Sequence, residues 1–238
     1  CNPKDFTKLI RKEKIMSKFN RRAFIAMGGA SALSACQMSG DMMGAAMGGA
    51  GSNADFGQLV KALHAALDKV ADQTEKLFEI QASYADVFGL KKQAAQMRAE
   101  AKQIKANGRV GVQYRQAEKL TKGLQKDINT QLNKGNALDA AAKRTLANGM
   151  NEHAKAIENA WVGGVMIAKV VLDARSAKKP SFSDIESLKY FKEIVADGPM
   201  AIKFLETSKS TYEDYAEAFE FKAKIPNLPK PKTKNLFG

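Results

Sequence analysis

Cysteine, histidine, proline and tryptophan are all scarce in this 238-residue chain, and each scarcity removes a class of protein. The two cysteines, Cys1 and Cys36, both precede the region that reads as folded. A disulfide framework and a CxxC redox or metal site are therefore excluded. Two histidines, His64 and His153, are too few for a His-rich metal centre, and each falls among apolar neighbours as a packing histidine does. Runs rich in Val, Ile, Thr and Tyr at strand spacing are nearly absent, so no phosphate loop can follow a strand. Glu152 and Glu158 flank His153 without the Glu-x-x-His spacing of di-iron bundles. No catalytic residue, no cofactor and no enzymatic activity are expected.

Helix-forming residues are what remains. Apolar residues make up 45% of the chain, and Ala, Lys, Leu and Gln are plentiful. Residues 55–224 read as one helical-bundle domain. Phe56, Leu59, Val60, Leu63, Leu67, Val70, Leu77, Phe78, Tyr84 and Phe88 recur at three- and four-residue steps, with Ser52 or Asn53 as cap. Gly89 predicts a kink, after which Ala94, Met97, Ala101 and Ile104 continue the pattern to a stop at Asn107-Gly108. A second helix is predicted over 111–133. A third, about 40 residues long, runs over 138–177 with Leu146, Met150, Ile157, Trp161, Val165, Ala168 and Leu172 inside. Ser183 and Glu186 fit a capping box for a shorter helix to about 196. Asp197-Gly198-Pro199 predicts a break before a last helix to about 224. Short turns between long amphipathic helices imply an all-α, up-and-down antiparallel bundle of four to five helices.

The N-terminal region has a different character. Read from Met16, it has a basic start (Lys18, Arg21, Arg22), a short apolar run over 23–33 and small residues before Cys36, the three-part layout of a secretory signal. Leu33-Ser34-Ala35-Cys36 resembles the bacterial lipobox. Arg21-Arg22-Ala23-Phe24-Ile25 resembles the twin-arginine export motif, with Ala26 where that motif usually has lysine. Over residues 16–36 the chain is thus similar to a bacterial lipoprotein. The resemblance implies cleavage of 16–35, acylation of Cys36 with chains such as palmitate, and a place in the cell envelope. Gln37 resembles the outer-membrane sorting choice, hence an outer-membrane anchor facing the periplasm. Residues 1–15 do not fit a signal. Lys12-Glu13 can be encoded AAG-GAG, a ribosome-binding sequence at a suitable distance from Met16, so 1–15 are expected to be an upstream extension.

Residues 36–54 read as the lipidated terminus and a Gly/Ala/Met tether, and 225–238 as a Pro- and Lys-rich tail. Met38, Met42, Met43 and Met47 are thioethers that suit Cu(I), the basis of a metal-carrier alternative. No His or second Cys reinforces them, so no metal site is expected there. The strip 160–172 is the most apolar of the domain and carries the small-residue row Ala160, Gly164 and Ala168. It supports a pore-forming alternative. A bilayer span needs about 20 apolar residues, however, and this strip is shorter and contains Lys169.

Charge is uneven. From residue 36 onward there are 30 basic and 23 acidic residues, a net of +7. Residues 91–134 hold 11 Lys/Arg against three acids, and residues 182–220 hold four Lys against nine acids. Arg98, Lys102, Lys105 and Arg109 form one stripe, and Arg115, Lys119, Lys122 and Lys126 another. The turn at Asn107-Gly108 is expected to join them in one hairpin, with the acidic last helices answering it. An anionic partner is implied: another envelope protein, a lipid headgroup or a polysaccharide, and not nucleic acid. The expected protein is a lipid-anchored, non-enzymatic envelope component that works by binding, as adaptor or assembly part.

Overall fold

The computed structural model describes residues 55–135, 138–222 and Ile225. Arg21, Arg22, Phe24, Cys36, the caps Ser52 and Asn53, the methionines Met38, Met42, Met43 and Met47, and the tail beyond Ile225 lie outside the described residues. The described residues form five helices: α1 (Phe56–Val87), α2 (Lys91–Asn107), α3 (Gly111–Asn133), α4 (Ala140–Ser176) and α5 (Ile185–Ala218). No strand occurs among them.

Asp55 caps α1, its carboxylate accepting the Gln58 N–H at 3.2 Å. The helix ends where a kink was expected. Gly89 adopts φ +70°, and the Gly89 and Leu90 N–H groups donate to the Asp86 and Ala85 carbonyls. These two bonds close a Schellman motif, which a residue without Cβ adopts at little strain. The chain therefore reverses, and α2 returns along α1.

The second difference is at Asp197-Gly198-Pro199, where α5 continues unbroken with Pro199 inside it. An interior proline costs a helix about 3 kcal/mol, so other contacts must offset it. Gly198 lies against α4, where a Cβ would stand 2.5 Å from Val171 Cγ2. Asp197 reaches the other way, its carboxyl receiving the Gly111 N–H at the start of α3, which has no side-chain cap of its own. One turn of α5 thus fixes two neighbours, and tertiary packing overrides the local breaker signal. The α5 start also differs from the expected capping box. Asp184 accepts the Ser187 N–H at 3.1 Å, while Ser183 bonds Ser181 and Glu186 accepts from Tyr190.

Asp139 caps α4 through the Ala142 N–H at 2.7 Å. On α4 the predicted inner face is mostly correct, but Val165 points outward at 36% exposure and Val162 at 46%. Gly163 and Gly164 face inward instead. A Cβ on Gly163 would meet Val70 of α1 at 2.7 Å, and one on Gly164 would meet Leu205 of α5 at 2.7 Å. The small residues of the 160–172 strip thus seat α4 between two helices. No described helix is long and apolar enough to cross a membrane.

Directions follow from pairs along the helices. Asp68–Arg109, Glu75–Lys105 and Asp86–Arg98 run α2 antiparallel to α1. Phe56–Phe191, Phe78–Phe204 and Tyr84–Tyr215 run α5 parallel to α1. The chain reverses at each connection, so the bundle is up-and-down. Its spatial order is not its sequence order. Helix α1 touches all four others, and α3 lies along α5 rather than along α4. The shared core includes Leu63, Leu67, Phe78, Tyr114, Ile157, Ile167 and Phe204. Helix α5 ends at Ala218, short of the expected end near 224, and Phe221 beyond it and Ile225, the first residue of the expected tail, also rest against the core.

Candidate functional site

The eight basic residues of the expected surface meet two different fates. Helix α1 carries Asp68, Glu75, Glu79 and Asp86 on the side facing α2. Arg98 donates to Asp86 at 2.5 Å and lies 3.8 Å from Glu79. Lys105 reaches both oxygens of Glu75 at 2.9 and 3.1 Å. Arg109 forks onto both oxygens of Asp68 at 2.7 Å each. Its hydrogen bonds hold the Asp68 carboxyl below the usual carboxylate range despite some burial. Of this stripe only Lys102 is exposed with no ion-pair partner among the described residues.

The α3 stripe stays in solvent. Lys119 and Lys126 are exposed and have no ion-pair partner among the described residues. Arg115 donates to the Met200 sulfur at 3.7 Å and has no ion-pair partner among the described residues. Lys122 lies 2.6 Å from Glu118, which Lys203 of α5 also approaches at 3.5 Å. Burial pushes the Glu118 carboxyl up, but the two ammonium groups outweigh it and bring it below its ordinary value. Beside the stripe runs a recess of about 340 Å³ between α3 and α5, lined by Lys122, Gln125, Lys203, Glu206 and Thr211 among others.

Two expectations are corrected here. The stripes do not merge into one hairpin surface, because the α2 stripe turns onto α1 while the α3 stripe turns outward. The acids that answer α2 lie on α1, not on the last helix. Their spacing of seven, four and seven residues was a readable signal, since such positions share one helical face. It becomes meaningful only once Gly89 is seen to fold α2 back onto α1.

Sequence reasoning placed His153 in the core without its company. It is fully buried and ringed by Tyr84, Tyr212 and Tyr215. The Tyr84 hydroxyl stands 3.5 Å from Nδ1, and Nε2 has no hydrogen-bond partner among the described residues. Burial lowers the imidazole pKa to about 3 and raises those of Tyr84 and Tyr215. Burial thus favours the neutral form of all three, and the rings pack around the imidazole at centroid distances of 5.4–6.4 Å. His64, half-buried, pairs with Glu193 across α1 and α5. Among the described residues no group of three His, Cys, Asp or Glu stands close enough to hold a metal ion.

Helix directions, shared core and the divided charge define the class, an all-α bundle of five helices. No family model matches the chain, and no curated protein or solved structure is similar to it.

Proposed function

We propose that this chain is a lipid-anchored, non-enzymatic protein of a bacterial envelope that binds an anionic partner through α3. The observation that carries the binding site is the contrast between the stripes. Arg98, Lys105 and Arg109 are paired with acids of α1, whereas Arg115, Lys119, Lys122 and Lys126 are exposed and, among the described residues, only Lys122 of the four forms an ion pair, with Glu118 of its own helix. A row of cations on a rigid helix attracts an acidic protein face or an acidic polymer at little ordering cost. The anchor rests on Leu33-Ser34-Ala35-Cys36 and the paired arginines before it. On this reading the acylated Cys36 holds the bundle at the outer membrane, on the periplasmic side, as adaptor or assembly part.

The experiment is crosslinking in intact cells followed by pull-down, comparing the native chain with Lys119→Glu, Lys122→Glu and Lys126→Glu combined. Loss of the captured partner is expected. Undiminished capture removes α3 as the binding face. Acylation is read separately, from the mass of the N-terminal peptide, where an unmodified Cys36 thiol removes the anchor.

A further inference from the structure

We propose that the connection between α4 and α5 is a membrane-contacting tip that dips Phe182 and Ile185 into the same anionic bilayer that Cys36 enters. Phe182 is 89% exposed and Ile185 77%, the two most exposed large apolar side chains among the described residues. Nothing among the described residues covers them. Around them Lys178, Lys179, Lys189 and Lys192 are exposed. Three acids lie nearby in the sequence: Asp184 accepts the Ser187 N–H, Glu186 accepts from the Tyr190 hydroxyl, and Glu193 pairs with His64. A pair of exposed apolar side chains with exposed lysines before and after it in the chain matches a bilayer face, with rings and branches at the acyl boundary and ammonium groups at the phosphates.

The position of the tip names the occupant. Helices α1 and α5 run parallel, with Phe56 against Phe191 at 5.8 Å between ring centres. The α4–α5 connection therefore sits at the end of the bundle where α1 begins. Ile185 precedes Phe191 by six positions, so the tip lies about 9 Å beyond Phe56 along the axis. The chain that leads back from Asp55 to Cys36 leaves from this same end. Its 18 intervening residues, 37–54, reach at most about 60 Å. An acylated Cys36 thus joins the bundle at this end, the opposite end lying about 48 Å further along α1. The inference rests on the anchored reading above for that placement. It adds an orientation: the tip on the membrane, the bundle upright, and the α3 stripe presented sideways to a partner.

The test uses the full chain with Cys36→Ser, which cannot be acylated, mixed with phosphatidylglycerol or phosphatidylcholine vesicles and sedimented. The signal segment is common to every sample, so differences report the tip. Binding to phosphatidylglycerol should weaken by about tenfold or more with Phe182→Ser and Ile185→Ser combined. Lys178→Glu with Lys179→Glu should weaken it on phosphatidylglycerol alone. Both pairs are exposed, so an unchanged melting curve confirms intact folding. Unaltered vesicle binding by the double serine variant overturns the tip. So does loss of self-association in place of lipid binding, which assigns the patch to a second copy. The mass of Cys36 in the native protein decides the anchor independently, so either can fail without the other.

Discussion

Helices α2 and α3 carry basic stripes of nearly the same spacing, on either side of one short turn, yet they do opposite things. The α2 stripe is a clasp. Arg98, Lys105 and Arg109 close onto Asp86, Glu75 and Asp68 of α1. The α3 stripe is a surface, because its helix lies along α5 and turns Lys119 and Lys126 away from it. Charge on one helical face states only that the residues point together. What they point at depends on the helix that arrives opposite.

The strongest way to break the comparison is to lift α2 off α1. At Gly108 a Cβ would stand 2.4 Å from the Ala71 Cβ and 2.5 Å from the Ile104 carbonyl oxygen. Gly108→Val should therefore destabilise the bundle by about 2–3 kcal/mol in urea unfolding. The released Arg98, Lys105 and Arg109 should also lengthen retention on an anionic resin at low salt. Unchanged retention would mean the clasp holds without the close turn.

Acid gives the next largest effect. The folded His153 pKa is about 3 against 6.5 for the free side chain. Below 6.5 the unfolded chain takes up a proton that the folded chain refuses, so stability present above pH 6.5 falls as the pH drops toward 3. The loss by pH 4.5 should be on the order of 2 kcal/mol, and His153→Phe should flatten that slope in pH-dependent melting. Asp68 and Glu118, both held low, keep their charge through most of this window. Acid unfolding that is equally steep in His153→Phe would move the cause to the ion pairs.

Reversing the clasp comes third. Arg98→Glu, Lys105→Glu and Arg109→Glu together place like charges against α1 and should lower the melting temperature by a few degrees, with the deficit shrinking in high salt. The smallest effect on stability belongs to α3. Lys119→Glu, Lys122→Glu and Lys126→Glu should leave unfolding within about 0.5 kcal/mol of the native chain while partner capture is lost. Equal losses of stability from the two triple variants would erase the distinction between clasp and surface.

Much of the fold was legible in local pattern. The apolar steps from Phe56 to Tyr84 marked the buried face of α1, and the expected ends of α3 match the observed Gly111–Asn133. Two glycine signals were misjudged. Gly89 was read as a kink, yet its positive φ and two carbonyl bonds make a full stop. Gly198 beside Pro199 was read as a break, yet it lies where α5 packs tightly on α4, against Val171 and Ile167. A glycine can stand for a turn or for a tight crossing, and local sequence does not separate the two. The tip at Phe182 and Ile185 escaped notice for a related reason. Two apolar residues beside a helix start look like core until no partner helix is found over them.

By itself, the sequence determined the helices, their apolar faces and the scarcity of metal- and disulfide-forming residues. These depend on residues a few positions apart, where periodicity and capping act. Only the tertiary structure decided which basic stripe is spent inside the fold, why Pro199 does not break α5, and which end of the bundle carries exposed Phe182. Those outcomes depend on groups far apart in the chain, such as Asp68 with Arg109 and Gly111 with Asp197, which meet only when the helices have packed.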